Sequence, residues 1–143
     1  MRFLFRRSII LLACAMAVIA LGLALRLIPS GLPPLLIQYG GSVLWAAMVY
    51  LLLAVPMPAV QPRRVAAIAC AISAIVELTR LYHTPAFDAF RLTLAGKLLL
   101  GRVFNPSHFP IYWATIAAVA LLDTKLAAGT AKTKKQAHKA RLL

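Results

Sequence analysis

The sequence has very few acidic side chains. Three of its 143 residues are Asp or Glu, against 16 Lys and Arg, which gives a formal net charge of +13. On a soluble protein, such an excess would favour nucleic acid as a partner. Here the basic residues cluster at the ends of apolar runs, where they set membrane topology and attract anionic lipids. The charge therefore predicts membrane lipids with anionic headgroups as partners, and no specific nucleic acid.

The sequence also lacks the residue patterns of common catalytic and metal sites. Its three His and two Cys are isolated and show no metal-ligand spacing. It contains neither a Gly-rich phosphate loop nor a nucleophile elbow. Cys14 and Cys70 lie inside apolar runs, where cysteine usually acts as a small hydrophobic residue. We therefore expect no disulfide, no metal and no other cofactor, and favour a protein that is not an enzyme.

Apolar residues dominate what remains. The chain is 62% hydrophobic and 13% charged, whereas soluble domains are about half apolar and a quarter charged. The apolar runs are continuous rather than alternating, which argues against a transmembrane barrel. The composition predicts an all-α integral membrane protein, specifically a four-helix bundle.

Four apolar segments predict the four spans: residues 8–25, about 35–55, 65–82 and about 110–122. The first follows three arginines and resembles a signal peptide, but its length, close to the ~20 residues that cross a bilayer, favours an uncleaved helix. We expect residues 1–125 to form the transmembrane domain and residues 126–143 a basic, disordered cytoplasmic tail. The distribution of Lys and Arg predicts that both termini are cytoplasmic.

Glu77 lies inside the apolar segment 65–82. An ionisable group at membrane depth costs ~2.5–3.5 kcal/mol on insertion scales, and such residues usually have a function. Arg80 follows one helical turn later on the same side, in the outer half of the bilayer. The two residues form either a structural ion pair or part of a functional pocket.

Residues 86–101 read AFDAFRLTLAGKLLLG. This segment is too short for a comfortable crossing, so we expect an interfacial or re-entrant helix between the third and fourth spans. Asp88 and Arg91 are three residues apart and would pair on a helix, while Gly96 would allow close packing. His108 is predicted to be a loop histidine without a partner. The candidate ligand-binding residues are Glu77, Arg80, Tyr82, His83, Asp88 and Arg91.

The run from Glu77 to Gly101 carries a resemblance to a known family. It reads ELTRLYHTPAFDAFRLTLAGKLLLG and is preceded by YGGSVLW at residues 39–45. Together they resemble small bacterial inner-membrane proteins with an uncharacterised domain, and more distantly the VanZ-like membrane family. The resemblance implies a bacterial inner (cytoplasmic) membrane location and, by analogy, a link to the cell envelope. The matching positions are Glu77, Arg80, Asp88, Arg91, Thr93, Gly96 and Gly101.

Three functions remain open from the sequence. The first is a non-enzymatic protein whose outward-facing polar pocket binds an anionic lipid headgroup or a lipid-linked precursor, because arginine binds phosphate and carboxylate in bidentate fashion. The second is an enzyme acting on an envelope lipid or peptidoglycan precursor, with Glu77 or Asp88 as general acid or base. The third is a small transporter or assembly partner, which would need a second copy of the chain or another membrane protein.

Overall fold

The computed structural model describes the backbone of residues 2–27, 31–100 and 104–141, and the side chains of residues 4–27, 31–97, 99–100 and 104–129. Every regular element in these ranges is an α-helix. The six helices are α1 (Arg2–Leu27), α2 (Pro34–Ala54), α3 (Pro62–Thr79), α4 (Pro85–Leu92), α5 (Leu94–Leu99) and α6 (His108–Arg141). The predicted all-α class is confirmed.

Proline marks the start of three helices. Pro34, Pro62 and Pro85 are the first residues of α2, α3 and α4. Proline fits this position because its fixed φ suits a helix and the first N–H has no partner within the helix. Gly31 precedes α2 with a φ of 61°, in the left-handed region that glycine enters without steric cost. The helix boundaries thus follow from local backbone chemistry.

Four long helices form the body of the protein. α2 packs against α1, α3 and α6, and α3 packs mainly against α6. The core between them combines alanine, aromatic and aliphatic residues, and the small residues let the helix backbones approach closely. Its buried members include Ala15, Ala46, Tyr50, Ala54, Ala69, Tyr112 and Ile116.

Three of these helices are long and apolar enough to cross a membrane: α1, α2 and α6. This supports the predicted membrane protein at the level of helix length and composition. α3 has 18 residues, which is short for a span, and its sequence includes Arg63, Arg64 and Glu77. A fourth crossing by α3 therefore stays a prediction.

The segment after α3 differs from the predicted single helix. It forms two short helices, α4 and α5, separated at Thr93. The Thr93 hydroxyl accepts a hydrogen bond from the Gly96 N–H at 3.0 Å, which starts the second helix as an N-cap. The position of this helix pair relative to the membrane stays a prediction.

The last helix is longer than predicted. α6 begins at His108 and continues to Arg141, whereas the apolar pattern placed its end near Leu122. The additional residues are mainly Ala and Lys, which are strong helix formers. The helix therefore includes most of the segment that was expected to be disordered, and the division of the chain after residue 125 stays a prediction.

Candidate functional site

Glu77 lies at the centre of a buried hydrogen-bond network, with no exposed surface. Its Oε2 atom accepts hydrogen bonds from Arg80 Nη1 at 2.5 Å and from the Tyr112 hydroxyl at 3.1 Å. Its Oε1 atom accepts one from the backbone N–H of Asn105 at 2.9 Å. Both carboxylate oxygens are thus hydrogen-bonded, as a buried charge requires.

Arg80 connects three parts of the fold. It is the first residue after α3, so its side chain can turn back onto the helix end. Besides Glu77, its Nε atom donates to the backbone oxygen of Leu100 at 2.6 Å, and its Nη2 atom donates to the Tyr112 hydroxyl at 3.2 Å. The predicted Glu77–Arg80 pair is present, and it joins α3 to the end of α5 and to α6.

His108 belongs to the same network, so the prediction that it has no partner is wrong. Its Nδ1 atom lies 3.0 Å from Arg80 Nη1 and 3.3 Å from Glu77 Oε1. The ring also packs against Tyr112, with 5.6 Å between ring centroids. The sequence gives a partial signal, because His108 and Tyr112 are four residues apart and share one face of a helix. Their partners on α3 are too distant in sequence to be inferred from spacing.

Arg91 forms a second cluster beside the end of α3. Its Nη1 atom donates to Asp88 Oδ1 at 3.0 Å and to the Tyr82 backbone oxygen at 3.1 Å, and its Nη2 atom donates to the Thr79 backbone oxygen. The guanidinium also lies 4.4 Å from the centroid of the Phe87 ring, a cation–π contact. Arg91 therefore satisfies carbonyl groups that the helix end leaves free.

The rest of this cluster faces outward. The Nδ1 atom of His83 is 3.2 Å from Asp88 Oδ1, and these side chains are 64% and 45% exposed. Tyr82 is exposed as well. The six predicted residues thus lie at the same end of α3 but in two groups, of which the Glu77 group is buried and the Asp88 group is half open. Their joint role as a ligand pocket stays a prediction.

A third cluster, around Asp123, was missed by the sequence analysis. Arg7 donates to both carboxylate oxygens of Asp123, from Nε at 2.8 Å and from Nη2 at 2.6 Å, and the Tyr50 hydroxyl donates to Oδ2 at 2.7 Å. Arg7 Nη1 also donates to the Pro58 backbone oxygen. All three side chains are buried. The available signal was that Asp123, one of three acidic residues, directly follows an apolar run.

The Asp123 and Glu77 clusters lie at opposite ends of the helix bundle. His108 is at the start of α6 and Asp123 is 15 residues later, a separation of ~22 Å at ~1.5 Å per residue. The Asp123 cluster joins α1, α2, α6 and the α2–α3 connection. The Glu77 cluster joins α3, α5 and α6. The bundle therefore has one buried ionic cluster near each end.

An apolar groove of about 340 Å³ lies between α1, α2 and α5. Gly22 and Gly41 line it, and a Cβ atom built on either glycine would meet no atom within 4 Å. Trp45 and Leu99 form its wall and are linked by a 3.0 Å hydrogen bond from the indole N–H to the Leu99 backbone oxygen. Arg26 also lines the groove. The groove is large enough for a bound ligand.

Arg26 ties the groove to α5. Its Nη1 atom donates to the Lys97 backbone oxygen at 2.6 Å. The Lys97 side chain is exposed beside it. In the described part of the chain, His, Cys, Asp and Glu form no group of three or more that could hold a metal ion.

No solved structure matches the chain. A family model described as "protein of unknown function (DUF2809)" matches residues 32–116, which is more than half of the sequence. The matched region includes Glu77, Arg80, Asp88, Arg91 and His108, and it leaves Asp123 outside. This confirms the predicted membership of a family with an uncharacterised domain, whereas the VanZ-like resemblance stays a prediction. The chain belongs to the DUF2809 family of proteins of unknown function.

Proposed function

We propose that this chain is a multi-pass membrane protein that binds an anionic phospholipid. One acyl chain occupies the groove between α1, α2 and α5, and the headgroup phosphate contacts Arg26 and Lys97. The observation that carries this proposal is an apolar groove of about 340 Å³ with a basic residue in its lining. A lipid satisfies both features with one molecule.

The charge at this end of the bundle supports an anionic headgroup. Basic side chains outnumber acidic ones in this set. The basic residues are Arg26, Arg80, Arg91 and Lys97, and the acidic residues are Glu77 and Asp88. Both acidic residues already form ion pairs with arginines, which leaves Arg26 and Lys97 as the uncompensated positive charges of this set. Each basic residue near a membrane surface contributes ~1 kcal/mol to attraction of anionic lipid.

The geometry favours the groove over the pocket that the sequence suggested. Arg80 and Arg91 already donate to carboxylates and to backbone carbonyls, so a headgroup would have to displace these hydrogen bonds. Arg26 has an exposed guanidinium with one described donation, to the Lys97 backbone oxygen. We therefore assign the headgroup to Arg26 and Lys97, and a structural role to Glu77, Arg80, Asp88 and Arg91.

The proposal includes a membrane setting. The family, the apolar helices and the basic residues at helix ends are consistent with a bacterial inner membrane, a distant VanZ-like relationship and a role in the cell envelope. Four crossings, with α3 as the third, would place both termini in the cytoplasm. Arg26, at the end of α1 and in the groove lining, would then lie in the outer leaflet.

Filling the groove tests the acyl-chain site. We expect Gly41→Leu and Gly22→Leu to reduce retained phosphatidylglycerol about tenfold or more, because the new side chain takes the space of the acyl chain. A Cβ atom at either position would meet no atom within 4 Å, and leucine is a better helix former than glycine. The measurement is native mass spectrometry of the protein purified in detergent and incubated with phosphatidylglycerol.

Two further variants complete this experiment. Gly129→Leu makes the same substitution in α6, also in open space but away from the groove, and should leave lipid retention unchanged. Lys97→Gln should reduce the preference for phosphatidylglycerol over phosphatidylethanolamine about fivefold, the equivalent of ~1 kcal/mol. Equal retention by Gly41→Leu, Gly22→Leu and Gly129→Leu would refute the proposal.

A further inference from the structure

The contacts of His108 fix which of its ring nitrogens carries a proton. Arg80 Nη1 lies 3.0 Å from Nδ1, and a guanidinium N–H can only donate. The Nδ1 atom must therefore accept, which requires a lone pair there and places the proton of the neutral ring on Nε2. The contact of Nδ1 with Glu77 Oε1 is longer, at 3.3 Å, so the Arg80 contact decides the tautomer.

The Nε2 atom is then a buried donor without an acceptor. The His108 side chain is 8% exposed. Within the described part of the chain two buried side-chain atoms lack a hydrogen-bond partner, Arg91 Nε and His108 Nε2. The Arg91 guanidinium lies over the Phe87 ring, which accounts for the first. His108 Nε2 has no such explanation, and folded proteins rarely leave a buried donor unpaired.

We propose that His108 Nε2–H donates a hydrogen bond to a phosphate oxygen of a bound ligand. The ring lies at the first residue of α6, where the helix dipole favours negative charge. Arg80 and Glu77 on its other side form an ion pair with each other, so the helix end is the source of positive potential at Nε2. A phosphate oxygen accepts hydrogen bonds strongly and is the anionic group that membrane lipids supply.

This site is separate from the acyl-chain groove. Between them stand the rings of Trp45 and Tyr112, 5.1 Å apart, and the Tyr112 ring in turn packs on His108. The groove proposal rests on empty apolar space, whereas this one rests on an unpaired polar atom. Substitutions at Gly41 test the first without changing the second, so the two proposals can fail independently.

Two substitutions at His108 separate the inner contact from the outer donor. In His108→Asn, the side-chain amide reaches only the position of Nδ1, so it can meet Arg80 but cannot replace the Nε2 donor. In His108→Gln, the amide nitrogen reaches the position of Nε2. We expect His108→Asn to bind phosphate about tenfold more weakly than the unsubstituted protein, the loss of one hydrogen bond to a charged acceptor. His108→Gln should remain near the unsubstituted affinity.

The test is nitrogen-15 NMR of the full-length protein, labelled at histidine, delipidated and held in detergent. The spectrum of His108→Gln lacks the His108 signals and so identifies them. One arm adds inorganic phosphate and the other adds short-chain phosphatidylglycerol. We expect an unprotonated Nδ1 and a shift of the Nε2 signal in at least one arm, and the responding arm identifies the source of the phosphate. A protonated Nδ1 would contradict the tautomer on which the proposal rests, and a Nε2 signal that neither probe moves would leave a bound water as the acceptor. Either result would overturn the proposal.

Discussion

At the scale of single residues, buried charges determine how the helices are joined. Asp123 is almost fully buried and receives three hydrogen bonds, two from Arg7 and one from Tyr50. Removing one partner of such a pair leaves the other charge buried without compensation, which is far more costly than losing an exposed pair. Asp88 is the contrasting case, because it is 45% exposed and surface pairs contribute little.

Neutralising Asp123 should therefore destabilise the protein strongly. We expect Asp123→Asn to lower the free energy of unfolding by about 3–5 kcal/mol, because the Arg7 guanidinium stays buried. Asp88→Asn is the matched control and should cost about 1 kcal/mol or less. Unfolding titrations in mixed detergent micelles measure both. Similar losses for the two variants would contradict the burial argument.

At the scale of elements, the junction between α4 and α5 depends on Gly96. A Cβ atom at Gly96 would lie 2.0 Å from the Phe90 backbone oxygen and 2.7 Å from Arg91 Cα. These neighbours are backbone atoms, so the helices themselves would have to move apart. Thr93 caps α5 at the same junction, and α5 supplies part of the groove wall.

Gly96→Ala should accordingly disturb this junction. We expect a loss of about 1–3 kcal/mol in the free energy of unfolding, typical of overpacking, together with faster proteolysis after Lys97, which follows the displaced glycine. Gly129→Ala places the same methyl group in open space and should be neutral or slightly stabilising. Wild-type proteolysis rates in Gly96→Ala would show that the backbone accommodates the methyl group.

At the scale of the whole molecule, the number of crossings decides which side each terminus occupies. In the part of the chain that the structure describes, three helices are long and apolar enough to span, and α3 packs along α6 and α2 as a fourth member of the bundle. The clusters of Asp123 and Glu77 lie at opposite ends of this bundle, so a crossing α3 would place them near opposite membrane surfaces. With four crossings both termini share a side; with three they do not.

We predict four crossings, with both termini on the cytoplasmic side. Green fluorescent protein fused after Leu143 should fluoresce in bacterial cells, and alkaline phosphatase fused there should be inactive. Alkaline phosphatase fused after Gly31, between α1 and α2, should be active and serves as the control. An active phosphatase after Leu143 would indicate three crossings and would move α3 out of the membrane core.

Local spacing made part of the candidate site predictable. Glu77 and Arg80, like Asp88 and Arg91, are three residues apart, and the helix geometry alone brings such side chains together. His108, Tyr112 and Asn105 reach Glu77 from a different helix and its preceding loop, and Arg7 reaches Asp123 from the other end of the chain. No pattern within one segment indicates these contacts, because they depend on how the helices pack.

The sequence by itself determined the helical class, the apolar helices with basic ends, the proline-marked helix starts and the short-range ion pairs, because each follows from composition or from the period of a helix. The three-dimensional packing decided the rest. It buried Glu77 and Asp123 among partners from several helices, left His108 Nε2 without a hydrogen-bond partner among the described residues, and opened a groove where Gly22 and Gly41 provide no side chain. Such features arise from distances between separate helices, and a linear sequence does not contain those distances in readable form.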